Sequence, residues 1–157
     1  MRRAVIALAI LVTPAVPAQQ PTAKTIDVAK KQALREGSLQ YRVLSLEPSK
    51  SPLGDFVNIT VEIRNISEKE EVKRDVWHER LKERQLSDDN GKQYKISSTT
   101  LLSGVQESLQ PKGVEVHRIT FYCKLTAKQN FLYLTLPKSA THEEVRFAMP
   151  ARAFKAR

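Results

Sequence analysis

The groups on this chain with chemistry to offer are three histidines, one cysteine and a run of cations between Arg74 and Arg84. His78, His117 and His142 are scattered and match no metal-ligand spacing. His142-Glu143-Glu144 lacks the second histidine of a zinc-binding helix. Ser103-Gly104 is not set in the G-x-S-x-G turn that exposes a hydrolase nucleophile, and five glycines leave little room for a phosphate-cradling loop. The sequence therefore predicts no catalytic, cofactor-binding or metal-binding residue, and its histidines read as ordinary surface or turn residues. Cys123 sits in an apolar stretch, which predicts a buried, inert thiol rather than a reactive one.

The cations carry the remaining possibility. Residues 68 to 87 are rich in helix-forming charges, but their apolar residues make a poor helical stripe, and a strand is the favoured reading. As a strand, the segment projects Arg74, His78, Arg80, Lys82 and Arg84 from one face, a stripe suited to an anionic partner. The plainer reading is a solvated strand whose charges deter edge-to-edge pairing. Glu79 and Glu83, with Glu68, Glu70 and Glu71 upstream, dilute the positive field. Nucleic acid is disfavoured, because no stacking aromatic accompanies the cations.

The N-terminus bounds where such a partner would be met. Met1-Arg2-Arg3 is a cationic start, Ala4 to Val12 is unbroken apolar sequence, and Ala15-Val16-Pro17-Ala18 supplies small residues for cleavage. This layout predicts a signal peptide over residues 1–18 and an exported protein, periplasmic or extracellular. The apolar run falls short of the roughly 20 residues that span a bilayer. No later segment is apolar enough to span, so the mature chain is expected not to cross a membrane. Loss of Arg2 and Arg3 leaves 24 basic against 17 acidic residues, a net charge of +7 on 139 residues. That length suits one domain with a single core, and a lone cysteine offers it no internal disulfide.

Residues 19–37 read as a linker or short helix, with Thr25 to Glu36 either helical or an irregular lead-in. From Ser38 the hydrophobic period shifts to two. Leu39, Tyr41 and Val43 alternate with polar residues, and the run is expected to stop at Pro48, with a loop between Pro48 and Asp55. Val57, Ile59, Val61 and Ile63 then form the cleanest strand face, which Asn65-Ile66-Ser67 closes as a turn. A three-residue Asp89-Asn90-Gly91 loop, with Gly91 left-handed, pairs Leu86 with Tyr94 and keeps both on one face. Gln110-Pro111-Lys112-Gly113 suits a type I turn. Val114 and Val116 lie on one parity while Ile119, Phe121 and Cys123 lie on the other, which predicts a bulge near His117-Arg118. Leu132, Leu134 and Leu136 alternate, as do Phe147 and Met149. Two glycosylation-type tripeptides, at Asn58 and Asn65, read as coincidental.

Taken together, Val57 to Ser67, Trp77, Leu86 to Tyr94, Leu109 to Gly113 and Leu132 to Pro137 resemble the immunoglobulin-like domains of unknown function found in exported bacterial proteins. The resemblance covers residues 38–150. It implies an all-β, immunoglobulin-like antiparallel β-sandwich of about seven strands, followed by a basic tail at 151–157 that carries Arg152, Lys155 and Arg157. It carries no catalytic residues. Paired cysteines are missing, and Phe121-Tyr122-Cys123 does not make a tyrosine corner. The function it implies is a noncatalytic module that binds an envelope or extracellular protein or supports an assembly. The second expectation is a surface protein that binds an anionic polymer through the basic row.

Overall fold

The computed structural model describes residues 23–151, and the signal-peptide reading and most of the basic tail lie outside them. In chain order the strands are β1 (Lys24–Asp27), β2 (Leu34–Glu36), β3 (Leu39–Ser51), β4 (Gly54–Asn65) and β5 (Val72–Lys73). Helix α1 (Arg74–Lys82) follows, then β6 (Gln85–Asp88), β7 (Gln93–Tyr94), β8 (Ile96–Leu101) and β9 (Ser108–Leu109). The last three strands are β10 (Val114–Tyr122), β11 (Phe131–Leu136) and β12 (Val145–Pro150). One five-stranded sheet runs β1-β12-β11-β6-β7 and the other β2-β3-β4-β10-β8, with β5 and β9 forming a separate pair. The chain is a β-sandwich.

The alternating residues build its interior. Val57, Ile59, Val61 and Ile63 on β4 face Leu132, Leu134 and Leu136 on β11 across the core, and all are essentially without solvent exposure. The β6–β7 hairpin has the expected register, Leu86 opposite Tyr94, around a three-residue loop in which Gly91 has φ 78°. Asp88 fastens that loop by accepting bonds from the Asn90 and Lys92 amides and the Tyr94 hydroxyl. Cys123 is buried as expected, and burial pushes its thiol up to about 11.

Other expectations need correction. Residues 24–36 are neither helix nor irregular lead-in: they supply β1 and β2, one strand to each sheet. Strand β3 does not stop at Pro48, which pairs with Val57, and the turn is Pro52-Leu53. At Pro48 the strand has β4 on one side only, so the missing N–H costs no ladder bond. A bulge between Val43 and Ser45 turns Leu44 outward and Leu46 inward. The turn at Pro111-Lys112 is type II rather than type I, because Lys112 has φ 64° at its third position.

The strand favoured for residues 74–84 is a helix over most of that stretch. Trp77, Arg80 and Leu81 form its buried face at the i, i+3, i+4 spacing of one helical side. Asp75 in the first turn, with Arg80 and Lys82 in the last, complements the helix dipole. The expected bulge at His117-Arg118 is also missing: β10 pairs with β4 without interruption from Val114 to Tyr122. Its inward parity is instead Glu115, His117, Ile119 and Phe121.

Candidate functional site

The basic row is dispersed once its segment coils into α1. Arg74, His78 and Lys82 fall at i, i+4, i+8 and share a helical flank, where His78 and Lys82 are exposed. Lys82 lies 3.6 Å from Glu79. Arg80 turns inward. Its guanidinium donates from Nε to Glu36 Oε2 at 3.1 Å and from Nη2 to Glu36 Oε1 at 2.9 Å, and further bonds reach the carbonyls of Pro137 and Glu143. This buried pair ties α1 to β2 and to the loop before β12. Arg84, beyond the helix, donates to the Leu81 carbonyl and to Thr99 Oγ1 on β8. Burial lowers its guanidinium from the ordinary range.

Between α1 and the 137–142 loop lies a cleft of about 480 Å³. Asp75, Val76 and Glu79 line one wall, Pro137 and His142 the other. Here a histidine does meet a hydroxyl and a carboxylate: Thr141 Oγ1 lies 2.8 Å from His142 Nδ1, and Glu36 Oε2 lies 3.7 Å from His142 Nε2. The arrangement does not make a catalytic triad. Both Glu36 oxygens are engaged by Arg80, and 3.7 Å is too long for a hydrogen bond that would orient the imidazole.

A second polar cluster is interior. Glu115 Oε1 accepts from Trp77 Nε1 at 3.0 Å and meets His117 Nε2 at 2.5 Å, so the neutral imidazole carries its proton on Nε2. Burial lowers the His117 pKa, and the nearby Arg84 and Arg74 cations add to this, while Glu115 opposes it. The side-chain partner of His117 in this cluster is Glu115, a carboxylate. Sequence reading missed this cluster because it assigns Glu and His to the solvent side of a strand. The apparent parity conflict along β10 was the available signal.

Among the described residues, the longest of the outermost strands is β8. Its six residues, Ile96-Ser97-Ser98-Thr99-Thr100-Leu101, carry no charge and stand at the edge of their sheet, exposed along nearly their whole length. The other outermost strands are short: β1 has four residues, β2 three and β7 two, while β3, which β2 leaves open from Arg42 to Ser51, is blunted there by Pro48 and by the charges of Arg42, Glu47 and Lys50. The bond from the Leu102 amide to the Val116 carbonyl sets the antiparallel alternation, so the backbone groups of Thr99 and Leu101 point away from β10. A shift in register between Thr120 and Phe121 leaves Ser98 to Leu101 as the regular part of this edge.

No protein-family model matches the sequence. No curated protein matches it either. Among solved structures, an uncharacterized β-sandwich protein from Clostridium difficile 630 is similar, with a TM-score of 0.52 at 12% identity over 83% of this chain and 98% of its own. A conserved hypothetical protein from Bacillus anthracis covers 66% of this chain and 85% of its own, at 13% identity and a TM-score of 0.42. The first of these likenesses bears on the fold alone, and it is to a β-sandwich.

Proposed function

We propose that this protein is a noncatalytic, immunoglobulin-like module of the bacterial envelope or its surroundings that binds a partner protein by accepting a strand at the open edge of β8. The strand order supports the finer fold reading. With β3, β4, β10 and β8 set against β12, β11, β6 and β7, the sheets match the A-B-E-D and G-F-C-C′ arrangement of immunoglobulin-like sandwiches. Export rests on the cationic and apolar segment at residues 1–18.

The observation that carries the binding reading is the character of β8 itself. Sheet edges are normally blunted by charge, proline or shortness, and a six-residue uncharged edge is the form that strand addition uses. Main-chain bonds to Thr99 and Leu101 would supply affinity, and neighbouring side chains would supply selectivity. The second reading, an anionic polymer held by the flank Arg74, His78 and Lys82, is favoured by their helical spacing.

Co-sedimentation of the mature chain with cell envelopes of the source organism, at low and high salt, tests both. Retention at both salts, abolished by Leu101→Pro in a chain that keeps its melting transition, is the expected result. Retention that disappears at high salt and survives Leu101→Pro would transfer the function to the helical flank.

A further inference from the structure

Granting strand addition at β8, we infer that the incoming segment is acidic, with neighbouring carboxylates directed to opposite sides of the sheet. Three cations surround this edge. On the inner side, Thr99 lies opposite the buried Ile119, and its hydroxyl accepts a bond from Arg84, whose Nε is itself buried without a hydrogen-bond partner. On the outer side, Thr100 lies opposite the exposed Arg118. At the start of the strand, Lys95 is exposed, and its carbonyl accepts from the Tyr122 amide. Among the described residues, none of Arg84, Lys95 or Arg118 has a carboxylate within salt-bridge distance.

This layout selects among occupants. Successive residues of an added strand point to opposite faces, so two adjacent acidic residues would meet Arg84 on one side and Arg118 on the other. A second copy of this chain, joined β8 to β8, would bring a second set of the same cations to this edge and no carboxylate from β8 itself. The edge therefore fits a segment of a different, acidic protein. Its own side chains, serine and threonine in the regular part, offer hydroxyls and no competing negative charge.

The test is a titration of the isotope-labelled full chain, followed by amide resonances. The probes are short strand-forming peptides, identical except for an adjacent pair that is Glu-Glu, Gln-Gln or Lys-Lys. The expected result is displacement of the Thr99 and Leu101 resonances, with the Glu-Glu peptide binding about tenfold tighter than the Gln-Gln peptide and the difference shrinking with salt. Arg118→Gln, at an exposed position, is expected to remove much of that preference, and Arg84→Gln to do the same from the inner side. Equal affinity of the Glu-Glu and Gln-Gln peptides at β8 would overturn the acidic partner while leaving strand addition standing. No displacement on β8 with any peptide would overturn both, and displacement confined to His78 and Lys82 would place acidic binding on the helix instead.

Discussion

Arg80 on α1 and Glu36 on β2 lie 44 positions apart in sequence and meet through two nearly parallel hydrogen bonds, with their side chains 2% and 10% exposed. A buried pair of this kind adds little net stability over an apolar substitute, yet losing one partner strands the other charge. Glu36→Ala is expected to cost about 3–5 kcal/mol in urea unfolding, because Arg80 would remain buried with only carbonyls to bond. Replacing both residues together should cost less than the sum of the single losses, and an additive double mutant would show that the pair is not coupled.

Asn65 is a clamp, not a glycosylation acceptor. It has no solvent exposure, its Nδ2 donates to the carbonyls of Glu70, Leu109 and Gln110, and its Oδ1 accepts from the Ser67 amide. Asn65→Ala is expected to lower stability by about 3 kcal/mol or more, since several buried backbone groups lose their partner at once. Asn65→Asp should be at least as damaging, because it turns a donor into an acceptor facing three carbonyls. Thermal melts of the two variants check the order.

Stability should fall as the solution is acidified through the histidine range. The folded His117 is held below its ordinary pKa, so between that lowered value and about 6.5 the unfolded chain binds a proton that the folded chain does not. The stabilisation from neutral His117 is therefore complete above about 6.5 and is lost below it, by up to about 1.4 kcal/mol per pH unit. His117→Gln keeps a donor for Glu115 and removes the titration. Unfolding free energies measured from pH 5 to pH 8 should slope in the parent chain and flatten in this variant.

The Gln110–Gly113 turn gives two opposite effects from neighbouring residues. Lys112 holds φ 64°, a region that disfavours side chains, so Lys112→Gly is expected to raise stability by up to about 1 kcal/mol. Gly113 has ordinary φ, but a Cβ there would lie 2.8 Å from the Gln110 carbonyl oxygen. Gly113→Ala must therefore displace backbone that Asn65 also holds, and its melting temperature should drop. An unchanged melt for both variants would mean that the turn is looser than its hydrogen bonds suggest.

What the sequence made legible was the part of the fold governed by apolar alternation. The inward faces of β4, β11 and β12 and the register at Leu86 and Tyr94 follow from that rule. Two of the failures, the strand favoured for residues 74–84 and the bulge expected at His117-Arg118, share one cause. Arg80 on α1 and Glu115 and His117 on β10 occupy inward positions, and a reading that sorts charge to the outside breaks the true period at each. With Arg80 counted as inward, Trp77, Arg80 and Leu81 form a helical stripe. With Glu115 and His117 counted as inward, β10 needs no bulge there. The β8 edge was hidden for a different reason: its serines and threonines alternate no apolar residues, and its edge position depends on a topology that no local pattern encodes.

Strand β1 runs parallel to β12, with Lys24 beside Val145 and Asp27 beside Ala148. The chain therefore enters this pair at one end and leaves it at the other. Tension applied along the polypeptide slides the two strands past each other, and their bonds must yield as a group rather than one after another. A module built this way resists extension through a slow unfolding rate, whatever its equilibrium stability.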